Sequence, residues 1–198
     1  MQKKFLEIGP GRGDFLFHLA VENPLATVVG VEYKHKRFDK LMRRLEKRAL
    51  TNVRLFLGDA RAVLPQEFGD GEFDRIFVLF SDPWPKRRHA RHRLFQDDFV
   101  KELHRVLKGD GQIFIAHDDP RYLAQIEEVF QGFRDSFTFL EEGIDFQTFY
   151  ADKWLKEGRK LRSFSYIKTY GGIPCAVTTI ENPRNLSQSP TRSGLRDL

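Results

Sequence analysis

The segment Leu6-Glu7-Ile8-Gly9-Pro10-Gly11-Arg12-Gly13 constrains this chain more than any other, because it sets three glycines at alternate positions between an apolar run and an amphipathic one. Phe5-Leu6-Glu7-Ile8 reads as a short buried strand, and Phe15, Leu16, Leu19 and Ala20 then recur at helical spacing. Glycines so placed let the backbone come close to a ligand. The unit is a strand, a ligand-cradling turn and a helix, which is how an α/β domain opens.

The rhythm continues. Thr27 to Val31 is a second strand, and Phe38, Leu41, Met42, Leu45 and Ala49 fall on one stripe of a helix whose other face is Lys, Arg and Glu. Val53 to Leu57 is a third strand. Phe73 to Phe80 is a fourth, apolar almost throughout and therefore expected mid-sheet. Phe99, Val100, Leu103, Val106 and Leu107 mark a helix that Gly109-Asp110-Gly111 is expected to stop, before a fifth strand at Gln112 to Ala116. A helix over Arg121 to Phe130 and strands at Phe137 to Leu140 and Ser163 to Ile167 complete the pattern. The spacing predicts a mainly parallel sheet with helices on both faces, binding ligands at the carboxyl ends of its strands.

A length of 198 residues with 40% apolar content supports one such domain, expected over 1–170. From Gly171 the composition turns to Gly, Asn, Pro, Ser, Thr and Arg, which reads as a flexible tail over 171–198. A core strand that opens a chain with nothing to cover the sheet edge predicts further residues upstream. The first eight residues read as a strand rather than a signal peptide, and no apolar run approaches the roughly 18 to 20 residues that span a bilayer. A single cysteine, Cys175, excludes an internal disulfide and a cysteine-based zinc site, so the cytoplasm is expected and no metal is. Oligomeric state, monomer or homodimer, is not legible.

The glycine turn favours one class of nucleoside ligand over another. A dinucleotide-binding G-x-G-x-x-G turn counted from Gly9 needs a third glycine at 14, where Asp14 stands, and counted from Gly11 it fails at Leu16. Glu32 closes the second strand, 19 residues after Gly13, where a carboxylate can accept hydrogen bonds from both ribose hydroxyls. Asp59, in Gly58-Asp59-Ala60, follows the third strand. Each alone has a plainer role, as a helix N-terminal charge or a cap. Together, three acids at the ends of three successive strands beside a glycine turn point to a nucleoside-containing cofactor.

After the fourth strand comes Ser81-Asp82-Pro83-Trp84-Pro85-Lys86-Arg87-Arg88-His89-Ala90-Arg91-His92-Arg93. Two prolines stiffen the loop that carries an acid and a flat ring. A planar base can stack on Trp84 while Asp82 accepts its hydrogen bonds. The five Lys or Arg residues that follow, with two histidines and no acids, can neutralise backbone phosphates. The plain alternative is a core tryptophan beside a solvated basic face.

The run from Asp82 to Arg93 resembles the D-P-W-x-K-x-R-H-x-K-R-R signature of bacterial tRNA guanine-N7 methyltransferases, and E-x-G-x-G-x-G from Glu7 resembles the first motif of class I methyltransferases. The likeness continues through Gly-Val-Glu and Gly-Asp-Ala and covers about residues 5 to 168. It implies a Rossmann-like class I fold, S-adenosyl-L-methionine as cofactor, tRNA as partner and transfer to guanine N7, in the variable loop as is usual for the family. It further implies that Glu7, Gly9, Gly11, Gly13, Glu32, Asp59 and Ala60 hold the cofactor, with Glu7 near its methionine part and Asp59 near its adenine. By the same likeness Asp82 is the catalytic residue, Lys86 a substrate contact, Arg88, His89, Arg91 and Arg93 the RNA-binding stretch, and Asp118 a further substrate contact. Thr148 and Tyr150 match a T-x-[FY]-E substrate motif, except that Ala151 replaces its glutamate. Ser81 stands where the family usually has proline, and His117 where it often has threonine. Two rivals stay open: an exocyclic-amine nucleic-acid methyltransferase, whose D-P-P-[YFW] loop resembles D-P-W-P, and an RNA-binding relative that has lost turnover.

Overall fold

The computed structural model describes residues 2–141, 155–158 and 160–169. Thr148, Tyr150, Ala151, Cys175 and the tail lie outside them. Seven strands, β1 (Lys4–Ile8), β2 (Thr27–Glu32), β3 (Val53–Leu57), β4 (Phe73–Leu79), β5 (Leu107–His117), β6 (Phe137–Leu140) and β7 (Arg162–Lys168), form one sheet in the order β3-β2-β1-β4-β5-β7-β6. Strands β1 to β5 are parallel, and β7 runs antiparallel to both β5 and β6. Order reverses at β1, between β2 and β4, and this switch point is where an open α/β sheet leaves a crevice at its carboxyl edge.

The two sheet faces are covered because strand residues alternate. Phe5, Phe77, Leu79, Phe114 and Ala116 pack with Phe15, Leu16 and Leu19 of α1 (Asp14–Glu22) and Leu41 of α2 (His35–Arg48). On the other face Leu6, Ile8, Val29, Ile76, Val78 and Ile115 meet α3 (Ala60–Glu67), α4 (Asp97–Val106) and α5 (Pro120–Gln131). In the first layer Phe77 stacks on Phe114, with ring centres 5.1 Å apart, and takes Phe15 edge-on at 5.0 Å. The strands thus bear on apolar layers on both sides, and their ends are free to carry chemistry. Among the described residues no helix is long and apolar enough to cross a membrane.

Three local expectations are corrected. Gly109-Asp110-Gly111 does not cap α4; the helix ends at Val106 and the chain passes directly into β5. Neither glycine has the positive φ a left-handed cap requires. Instead the register with β4 jumps from Phe73↔Leu107 to Arg75↔Gln112, a bulge in which a Cβ on Gly111 would lie 2.6 Å from Leu107 Cδ1. Helix α3 was not expected at all. It is short, contains Pro65, and starts because the Asp59 carboxylate accepts a hydrogen bond from Arg61 N at 2.9 Å. Finally, β4 stops at Leu79, since Phe80 takes φ 56°, outside the strand region.

Candidate active site

The first half of the site grows from the ends of β1, β2 and β3. Gly9, Gly11 and Gly13 all take positive φ (73°, 59° and 78°), so the turn needs glycine at each. The turn is pinned by Gly9 N donating to Val31 O at 2.8 Å and Gly13 N to Pro10 O at 2.7 Å. Glu32 is buried, and each carboxylate oxygen receives a backbone N–H, from Gly11 at 3.0 Å and from Lys34 at 2.8 Å. Both oxygens are thereby held in place, with lone pairs left to accept from a ligand. Glu7 is different. It is buried, its Oε2 has no hydrogen-bond partner, and burial, reinforced by the charges of Asp14 and Glu32, pushes its carboxyl up to about 8.

The second half is the loop after β4. Positive φ at Phe80 and Trp84 (42°) brackets Ser81-Asp82-Pro83, a conformation costing about 1–3 kcal/mol per bulky residue. Surrounding bonds hold it. His117 Nε2 lies 2.7 Å from Ser81 O, and its Nδ1 accepts the Asp119 N–H at 2.8 Å. That pairing puts the proton on Nε2, and burial lowers the imidazole's pKa, so His117 is neutral. The 3.4 Å approach of its Nδ1 to Asp118 is therefore not an ion pair, whatever its length. Ser81 Oγ reaches Tyr122 OH at 3.3 Å. Arg93 donates from Nε to Pro83 O at 2.8 Å and from a terminal nitrogen to Trp84 O at 3.4 Å, binds Gln125 through the other, and lies 5.4 Å over the Tyr122 ring. One Asp82 oxygen accepts Trp84 N at 3.2 Å. The Trp84 ring sits against His92 at 5.3 Å and His89 at 5.8 Å.

Both halves open into one cavity of about 750 Å³. The family model described as "Putative methyltransferase" matches residues 1–163. The chain is 31% identical over 170 residues to the tRNA (guanine-N(7)-)-methyltransferase of Chlamydia felis, covering 83% of this chain and 75% of that protein. It is 35% identical over 162 residues to the Thermotoga maritima protein of the same name, covering 80% of this chain and 51%, about half, of that relative. Its fold is similar to that of a SAM-dependent methyltransferase from Aquifex aeolicus, with TM-score 0.59 at 15% identity over 85% and 84% of the two chains. The chain belongs to the tRNA (guanine-N7-)-methyltransferase family.

The cofactor that membership implies, S-adenosylmethionine, fits the residues present. A tRNA (guanine-N7-)-methyltransferase needs a pocket of a few hundred Å³ for it, and the cavity meets this. The buried, unpartnered Glu7 oxygen offers an acceptor to a cationic group, and Glu32 offers prepaid carboxylate lone pairs. Glu7, Gly9, Gly11, Glu32, Asp59, Ala60, Asp82, Trp84 and Asp118 all line that cavity.

Not every expected residue does. Gly13 stands behind the turn, where a Cβ would meet Leu41 Cδ2 at 2.4 Å; its glycine serves helix packing. Lys86, Arg88 and Arg91 are exposed outside the cavity, and His89 reaches it only through Trp84. Arg93, expected on RNA, points inward and holds the loop. Conversely, Lys34, Arg37 and Arg61 line the cavity and were not singled out, and His92, expected only as part of the basic run, lines it too. His117 and Tyr122 were missed as loop supports, because nothing local in sequence distinguishes a buttress from a core residue.

Proposed function

We propose that this chain transfers a methyl group from S-adenosylmethionine to N7 of a guanine in tRNA, in the variable loop, and does so in the cytoplasm. The observation that carries this is the continuity of a single cavity from the carboxylate-lined glycine turn to Asp82 and Trp84, with basic residues exposed beside its mouth. When bound, the cofactor supplies a sulfonium methyl that the in-plane lone pair of guanine N7 can take directly, so no protein base is required.

The residues then have positioning to do. Trp84 offers its ring face to the purine, and Asp82 and Asp118 accept from the N1 and N2 hydrogens, offsetting the positive charge that the ring acquires. Asp82 spends one oxygen on Trp84 N, which aims the other. Lys86 contacts O6 or a nearby phosphate, and Arg88 and Arg91 take phosphates outside the cavity. Orientation of this kind is worth roughly 7–11 kcal/mol of a transfer barrier. The test is to incubate the protein with labelled S-adenosylmethionine and unmodified bulk tRNA and identify the modified nucleoside. N7-methylguanosine is expected; a methylated exocyclic amine would overturn the assignment, and cofactor binding without transfer to any tRNA would leave an RNA-binding relative.

A further inference from the structure

Helix α2 carries seven Lys and Arg residues against two acids, a surplus of five that equals the formal charge of the whole chain. Lys36, Lys40, Arg43 and Lys47 follow one another at i, i+4, i+7 and i+11, so they form a single stripe along a helix about 21 Å long. All four are exposed, and among the described residues none makes an ion pair. Arg48 extends the positive surface on one side, its guanidinium carbon 4.8 Å from the Phe17 ring centre, whereas Arg44 is ion-paired to Asp14 at 2.8 Å. Asp39 and Glu46 fall on the other side of the stripe.

The arrangement works against the helix itself. Like charges at i,i+4 cost about 0.2–0.5 kcal/mol per pair, and cations are disfavoured at a helix N-terminus. Yet the first turn holds Lys36 and Arg37 and no acid, and Lys34 at the N-cap makes no side-chain cap bond. Lys47 and Arg48 complement the helix C-terminus, but the cationic first turn gains nothing from the macrodipole, and a partner that supplies negative charge there would offset it.

The location says which partner. Lys34 and Arg37 line the cavity, so the stripe starts at its mouth and runs outward. On the other side of the glycine turn lies the Lys86 to Arg93 run, because β2 and β4 flank β1 in the sheet. A polyanion whose base enters between them meets positive charge on both sides. We propose that α2 is a second phosphate-binding surface, on which the RNA backbone continues after its target base has entered the cavity. This rests on the RNA substrate proposed above.

The test replaces Lys36, Lys40 and Lys47 together by Gln, which keeps helix propensity and touches neither core nor cavity. Binding of unmodified tRNA is measured by filter retention across a salt series, beside the wild type and an Arg88→Gln/Arg91→Gln variant. Losing three phosphate contacts should weaken binding by about 10- to 100-fold near 0.1 M salt and lower the slope of log K against log salt by about 2. Cofactor affinity, by calorimetry, should stay at the wild-type value. An unchanged affinity and slope in the triple variant, with weakened binding in the arginine variant, would make α2 an ordinary solvated face and leave the RNA substrate standing. A wild-type chain that does not bind tRNA would overturn both.

Discussion

The two walls of the cavity are built by opposite means. On the β1–β3 side, regular structure does the positioning: strands end in register, glycines turn, and backbone N–H groups hold both Glu32 oxygens. On the β4–β5 side the backbone is bent against its own preference at Phe80 and Trp84, and side chains hold it there: Arg93, His117 and Tyr122. The first wall is preorganised by the fold and suits a cofactor of constant shape. The second stores strain where the substrate base is proposed to bind, and its geometry depends on individual clamps that single substitutions can release.

If the walls are separable, Asp82→Ala should remove substrate orientation alone. Methyl transfer should fall about 100- to 1000-fold while cofactor affinity is unchanged. A parallel loss of cofactor affinity would show that the walls are one unit.

The opposite experiment is Gly13→Ala. At φ 78°, with the new Cβ 2.4 Å from Leu41 Cδ2, the turn pays both a left-handed penalty and overpacking. Unfolding free energy should drop by about 2–4 kcal/mol, seen as a lower melting temperature with or without substrate. A melting temperature equal to the wild type would mean that the turn yields as easily as a loop.

Glu7 gives a pH-dependent version of the same comparison. Its pKa rises from 4.5 to about 8 on folding, so its protonated form stabilises the ligand-free protein fully below about pH 4.5. That stabilisation is lost progressively as pH rises to about 8. Glu7→Gln removes the dependence: the variant should match the wild type near pH 4.5 and exceed it above pH 8, by about 4 kcal/mol in denaturant unfolding. Equal stabilities at both pH values would place the carboxyl in contact with water.

How much of this could be read beforehand follows the same division. Gly9, Gly11, Glu32 and Asp59 were legible because a turn, a strand end and a cap make demands within a few residues of sequence. Helix α3 was not, since eight residues interrupted by Pro65 carry too little periodicity, and the only signal was Asp59 as a cap. The glycines at 109 and 111 misled for a related reason: a C-cap and a bulge both want glycine, and only the strand partner decides. The supports of the second wall were hidden more deeply. His117 meets Ser81 across 36 positions and Tyr122 meets it across 41, so their roles exist only once β4 and β5 are adjacent. A basic run looks the same whether one of its arginines faces phosphate or turns inward.

Arg93 decides that last ambiguity, and a small change suffices. Arg93→Lys keeps the positive charge but loses the planar fork that spans Pro83 O, Trp84 O and Gln125. If Arg93 contacts phosphate, the lysine variant should behave nearly as the wild type, because a point charge still neutralises a phosphate. If it clamps the loop, kcat should fall about tenfold, equivalent to about 1.4 kcal/mol, while tRNA affinity and its salt slope stay put. Rate and affinity thus move separately under one role and together, or not at all, under the other. The hydrogen bonds favour the clamp, since three nitrogens of one guanidinium are already committed within the protein.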